Sequence, residues 1–264
     1  MKRGWLYVVS LWVLLMVAGC SNGEQGTSGS SEEPVEKVEL MVSAAASLTD
    51  ALEEMKALFE DEHPDITLRF NFASSGKLVQ LIEQGAPSDV FLSASTKDMD
   101  KLQDEKLIDE ATRVDFTANE LVLIAEKNSS LTVDSFEDID PASIDHFAIG
   151  EPESVPVGRY TKEVLDHLDL WPSLQSKIVL GSDVRQVLTH VEMGNADLGV
   201  VYSSDAKISD QVKVLASANT EWHGPIVYPG AVVADIEYPE EAKAFLKFLT
   251  SEKGKEILGK FGFQ

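Results

Sequence analysis

From Val38 onward the chain alternates short β-rich runs with stretches of helical periodicity, and this alternation restricts its fold more than any other feature. The runs are VELMVSA, ITLRFNF, DVFLSA, ELVLIA, HFAIG, KIVLG, LGVVY, VKVLA and PIVYPGAVV. Strands interleaved with helices predict an α/β protein built on mixed, mainly parallel sheets. Between the first two runs, Leu48, Ala51, Leu52, Met55, Leu58 and Phe59 recur at the spacing of one buried helix face, and Pro64 marks where that helix ends. A chain of 264 residues, 44% of them apolar, can bury two modest cores, which excludes disorder for the bulk.

The first residues read differently. Lys2 and Arg3 precede an apolar stretch from Trp5 to Val17, broken only by Ser10, which is the pattern of an export signal. The stretch is shorter than the ~20 residues a membrane span takes. It ends in Val17-Ala18-Gly19-Cys20, similar to a bacterial lipoprotein processing box, in which cleavage leaves Cys20 as a lipid-bearing N-terminus. We therefore expect a signal peptide at 1–19 and a lipid-anchored flexible linker at 20–37, since SNGEQGTSGSSEEPVEK offers almost nothing to bury. Such a linker reaches about 20–25 Å, placing the protein outside the cytoplasm and close to the cell membrane. Cys20 is the single cysteine, so internal disulfides and cysteine-based zinc sites are excluded.

With 22 Lys+Arg against 45 Asp+Glu, the formal charge is −23, and losing Lys2 and Arg3 on processing takes it to −25. Such a field repels nucleic acid and anionic membrane surfaces, so no nucleic acid partner is expected. A small anion remains allowed where its site is local and made of dipoles.

Residues 74–95 and 182–206 form an internal repeat. Each has a small polar start, a helix stopped by a glycine (Gly85, Gly194), an aspartate (Asp89, Asp197), a buried strand and then serines. Four places put small or backbone-exposing residues at a helix start. Ser47 has Asp50 at capping-box distance. The others are Ser74-Ser75-Gly76, Pro156-Val157-Gly158 and Gly181-Ser182-Asp183-Val184. Taken singly, each is a helix cap. All four follow strands, however, and helix N-termini at the carboxyl edge of an open sheet can converge into a cage of dipoles around an anion. Lys77, Arg159 and Arg185 also follow these starts and read as solvated side chains.

Catalytic patterns are missing from the folding part of the sequence. From Val38 onward it has no G-x-S-x-G elbow, H-E-x-x-H, phosphate-binding loop or dinucleotide fingerprint. His63, His146, His167, His190 and His223 lack metal-ligand spacing, and the carboxylate pairs sit on helical faces.

Four blocks, SAAASLTDALEEM (43–55), FASSGKLVQLIEQGAPSDVFLSAS (72–95), GEPESVPVGRYTKEVL (150–165) and DVRQVLTHVEMGNADLGVVYSSDA (183–206), resemble the molybdate-binding proteins of ABC transporters. The likeness runs from about Val38 to Gln264. It implies a type II periplasmic-binding-protein fold of two α/β lobes, 38–118 with 226–264 and 119–225, joined by crossover strands near Ala118–Leu121 and Gly224–Tyr228. The lobes would close over molybdate or tungstate, with no cofactor, no metal directly ligated, and no catalysis. Carried over by position, the ligand residues are Ser47 and Ser75 from the first lobe, Val157 and Val184 through their amides, and Tyr202 through its phenol. The implied partners are the oxyanion, the ABC permease subunits and the membrane through Cys20, the protein itself being a monomer. Val157 stands where relatives often have alanine. Asp183 should cap its own helix with its oxygens turned from the ligand. Two rivals stay open at this point: a binding protein for another tetrahedral oxyanion such as sulfate or thiosulfate, or for a ferric-anion complex, and a tethered serine hydrolase using Ser47 or Ser75.

Overall fold

The structure is a computed structural model that describes residues 37–264. The expected signal segment, Cys20 and the linker up to residue 36 lie outside the described residues. Residues 37–264 fall within one compact unit.

Ten strands make two five-stranded sheets among the described residues. The first contains β1 (Val38–Ala45), β2 (Ile66–Ala73), β3 (Val90–Leu92), β4 (Val114–Ala118) and β10 (Val227–Val232), in the order β2-β1-β3-β10-β4. The second contains β5 (Leu121–Glu126), β6 (Phe147–Gly150), β7 (Ile178–Gly181), β8 (Leu198–Tyr202) and β9 (Val212–Ser217), in the order β7-β6-β8-β5-β9. The two sheets share one pattern: β1 and β6 each lie between two parallel neighbours, and β10 and β5 each lie between two antiparallel ones. Parallel strands are covered on both faces, and the consecutive residues Val42, Ser43, Ala44 and Ala45 of β1 are all buried accordingly.

Strand β4 is the one element that the β-rich runs do not reveal. In VDFTA, Asp115 and Thr117 alternate with Val114 and Phe116, as suits an outer strand that pairs only with β10.

The helices are α1 (Thr49–Glu62), α2 (Ser75–Glu83), α3 (Thr96–Asp104), α4 (Pro156–His167), α5 (Trp171–Leu174), α6 (Val184–Glu192), α7 (Ser203–Lys207), α8 (Pro239–Leu249) and α9 (Glu252–Lys260). On one face of the first sheet, the Phe59 ring of α1 meets Phe245 and Phe248 of α8 edge-on, at centroid distances of 5.3 and 5.5 Å. On the other face, Leu78, Val79 and Ile82 of α2 pack with Met99 and Leu102 of α3 over Phe91. No helix among the described residues is long and apolar enough to cross a membrane.

The repeat read from the sequence has a matching hydrogen-bond pattern in each sheet. Asp89, just before β3, takes the Met41 amide at 2.6 Å and returns its own amide to the Met41 carbonyl at 2.7 Å. Asp197, just before β8, takes the His146 amide at 2.9 Å and returns its own to the His146 carbonyl at 3.0 Å. Gly85 and Gly194 follow α2 and α6 at φ of +79° and +69°, a turn that glycine takes without strain.

The chain passes between the sheets twice, at residues 119–120 and 218–226. The passages touch, with the Asn119 amide on the Ile226 carbonyl at 3.1 Å. The C-terminus closes beside them, Ala118 and Gln264 exchanging backbone bonds at 3.2 and 3.1 Å.

Candidate functional site

Parallel register determines where the helix starts fall. Ala45 of β1 pairs with Ala73 of β2, so Ser47 and Ser75, each two residues further on, leave the first sheet at the same edge. Gly150 of β6 pairs with Gly181 of β7, and Ala148 with Gly199 of β8. The starts of α4 and α6 and the strand-ending Tyr202 therefore leave the second sheet at its carboxyl edge. Ser47, Ser75, Val157, Val184 and Tyr202 are all buried, none more than 4% exposed.

Each offers a donor. Ser75 is the first residue of α2 and its hydroxyl oxygen accepts the Ala94 amide at 2.9 Å, so the hydroxyl proton is left to donate. Val157 and Val184 hold the second and first positions of α4 and α6, where an amide has no acceptor inside its own helix. The Tyr202 hydroxyl is fully enclosed and has no partner among the described residues. Burial pushes this phenol well above its ordinary pKa, keeping it a neutral donor. Asp183 caps α6 by accepting the Gln186 amide at 3.0 Å, which occupies its carboxylate locally.

Ser47 corrects one reading. It is not the cap of a capping box, because a 3-10 turn over Ala46–Leu48 precedes α1. The Thr49 hydroxyl bonds back to the Ala46 carbonyl at 2.7 Å, and Asp50 turns outward to Arg185. The Ser47 hydroxyl meets the Tyr228 phenol instead, at 2.9 Å.

Contacts between the two sheets' helices and loops run through the immediate neighbours of these residues. The Gly76 amide, beside Ser75, donates to the Ser154 carbonyl ahead of α4 at 3.1 Å. Arg185, beside Val184, reaches the Ser47 carbonyl at 3.3 Å, Asp50 at 2.7 Å and the fully buried Asp205 at 2.8 Å. Arg159, two residues past Val157, pairs with Asp98 of α3, the two side chains being only 13% and 9% exposed. Arg159 and Arg185 are thus not the solvated side chains their position in a first helical turn suggests. Their partners lie far off in sequence and only folding supplies them. Lys77 is exposed, as read. Grooves of about 600 and 590 Å³ flank this seam, one lined by Gly76, Asp98, Glu153 and Arg159, the other by Ser74, Lys77, Ser182 and Asp183.

The chemistry available is donation: hydroxyls, a phenol and helix-end amides, with the nearby guanidiniums already paired to carboxylates. Ser47 and Ser75 bond to a phenol and an amide, not to a base that could activate them. Among the described residues, no group of histidines, cysteines and carboxylates could hold a metal ion.

The Asp205 carboxyl is pushed up to about 7, because burial outweighs the Arg185 charge and the Tyr202 amide that favour its ionised form. The unfolded chain returns it to about 3.8, so between these values the folded protein holds a proton that the unfolded one has lost. The sign follows: this stabilisation is complete below the lower value and is lost as pH rises through the upper one, at about 1.4 kcal/mol per pH unit. Asp205→Asn should flatten the pH dependence of urea unfolding across that window, and a variant with the wild-type slope would refute the assignment.

A family model described as bacterial extracellular solute-binding protein matches residues 40–264. A Bacillus subtilis protein, YvgL, named as a candidate ABC transporter substrate-binding lipoprotein, is 42% identical over 99% of this chain and 98% of its own. The Escherichia coli molybdate-binding protein ModA is 37% identical, over 100% of this chain and 99% of its own. Among solved structures, the Azotobacter vinelandii periplasmic molybdate-binding protein superposes with a TM-score of 0.76 at 25% identity, over 85% of this chain and 98% of that one. The chain belongs to the bacterial extracellular solute-binding proteins, with their periplasmic-binding-protein fold.

Proposed function

We propose that this chain is the extracytoplasmic solute-binding component of a molybdate ABC importer. It captures molybdate, and tungstate by the same chemistry, between two lobes and delivers it to a membrane permease. The observation that carries this reading is the buried, partnerless Tyr202 hydroxyl at the sheet edge where α4 and α6 begin. A polar group so enclosed costs about 1–3 kcal/mol unless something comes to meet it. The molybdate-binding relatives agree with the reading.

In this reading the ligand set is Ser47, Ser75, Val157, Val184 and Tyr202, and the lobes are 38–118 with 226–264 and 119–225, bending where the chain passes between the sheets. The protein acts as a binder, not an enzyme, and works as a monomer. Its lipid anchor is Cys20, a role in keeping with the lipoprotein name of the Bacillus subtilis relative. A fully deprotonated oxyanion offers only acceptors, so a site of donors suits molybdate, tungstate or sulfate and penalises hydrogen phosphate, whose proton finds no acceptor. About seven bonds to a charged ligand, at roughly 1.5–3 kcal/mol each, give a gross ~10–20 kcal/mol, which reaches the ~8 kcal/mol of micromolar binding when closure and desolvation take back no more than about half of it.

Calorimetric titration of residues 21–264 with molybdate, tungstate, sulfate and phosphate tests this. Submicromolar molybdate binding is expected, and tight sulfate binding with no molybdate response would overturn it. Tyr202→Phe removes one donor and should weaken molybdate by roughly 1–3 kcal/mol, about tenfold to a hundredfold. An unchanged affinity would take Tyr202 out of the site.

A further inference from the structure

The bond between the Ser47 hydroxyl and the Tyr228 phenol can run either way, and Asn119 decides which. Asn119 is buried, 6% exposed, in the first passage between the sheets. Its side-chain oxygen sits 2.9 Å from the Glu120 amide, which can only donate, so that atom must be the carbonyl. The Ser203 hydroxyl donates to the same oxygen at 2.9 Å. The Asn119 NH₂ group therefore faces the other way, donating to the Ser204 hydroxyl at 2.8 Å and to the Tyr228 phenol oxygen at 3.4 Å.

From there the direction propagates. Tyr228 accepts from Asn119, and Ser47 Oγ is the other partner its enclosed hydroxyl has among the described residues, so its own proton goes to Ser47. Ser47 has accepted from Tyr228, so its proton must point elsewhere. Tyr228 is fully buried, its ring 5.4 Å from Phe263, 5.9 Å from Tyr202 and 6.3 Å from Phe116 between centroids, and cannot turn away. Burial also holds its phenol protonated.

We infer that Asn119 and Tyr228 are positioning residues that fix the direction of hydrogen bonding at Ser47, keeping the Ser47 proton off Tyr228 and biasing it to donate to a bound anion. The inference rests on the oxyanion reading above and deepens it. The preference for fully deprotonated ions comes from a chain of bonds anchored in the passage between the sheets. A serine hydroxyl standing alone has one more direction for its proton and both lone pairs free, so it accepts more readily from a protonated oxyanion and discriminates less.

The test is calorimetry at pH 7 with molybdate and with inorganic phosphate, on the unmodified protein, Tyr228→Phe and Asn119→Asp. Tyr228→Phe keeps the ring and its packing and deletes only the hydroxyl. It should cost molybdate up to about tenfold and shrink the molybdate-to-phosphate ratio by a further factor of ten, because Ser47 is free to turn. Asn119→Asp puts an acceptor where a donor was. Tyr228 should then donate to the new carboxylate and accept from Ser47, reversing the chain and abolishing measurable molybdate binding. Loss of affinity in Tyr228→Phe with an unchanged ratio would mean that the phenol only supports the fold, and would overturn the inference whatever Asn119→Asp does. Failure of the unmodified protein to bind any tetrahedral oxyanion would defeat the underlying reading, and this inference with it.

Discussion

Gly76→Ala is expected to weaken molybdate binding by about tenfold to a hundredfold while leaving the ligand-free protein as stable as before, or slightly more so. A Cβ at Gly76 would lie 2.5 Å from the Ser154 carbonyl oxygen and 3.0 Å from its Cα. Both obstacles are backbone atoms on the far side of the seam, which cannot rotate aside, so the halves could no longer approach to the 3.1 Å bond between Gly76 and Ser154. When the halves stand apart the overlap with Ser154 is gone, and alanine in the first turn of α2 favours the helix by roughly 0.5–1 kcal/mol over glycine. Binding and stability should therefore move in opposite directions. Calorimetry with molybdate and thermal melting without it separate the two, and equal affinities for variant and wild type would show that binding does not need this approach.

Gly158→Ala should do the reverse and cost about 3 kcal/mol or more of folding stability, with or without ligand. Here the added Cβ would fall 2.0 Å from the Gly150 carbonyl oxygen and 2.5 Å from its carbonyl carbon. Both residues belong to the same half, where α4 lies directly on β6, and no opening relieves the overlap. Urea unfolding checks this, and a variant within 1 kcal/mol of wild type would mean that α4 and β6 adjust far more freely than two buried backbones should. The two substitutions are chemically identical and differ only in whether the obstructing backbone can move away.

Much of this architecture was legible in the residues, because strand runs, glycine stops and helix starts are local signals. The repeat marked Asp89 and Asp197 as counterparts without showing what they bond, and the capping by Asp183 followed from the awkwardness of a carboxylate beside an anion. Tyr202 was different: as the end of a buried strand it carries no local mark, and only the family resemblance singled it out. Strand β4 escaped because an outer strand need not be apolar. Ser47 was misread as a cap because its spacing to Asp50 is right, while the 3-10 turn and the pull of Arg185 are tertiary. The relay behind Ser47 was invisible for the same reason. Tyr228 lies 181 positions from Ser47 and 109 from Asn119, and no window along the chain brings them together.

The pairs Arg159 with Asp98 and Arg185 with Asp50 tie helices α4 and α6, beside the second sheet, to α3 and α1, beside the first. An exposed pair of this kind is worth at most ~1 kcal/mol, but the first is well enclosed, and both act in the same direction. In the proposed reading, both contacts favour the closed arrangement over the open one whether or not an anion is bound. A permease that responds to the shut shape alone would then be triggered by carriers with no cargo, and would hydrolyse ATP for nothing. How rarely such idle encounters occur depends on how far these two ionic contacts fall short of closing the protein by themselves, which added salt would reduce further.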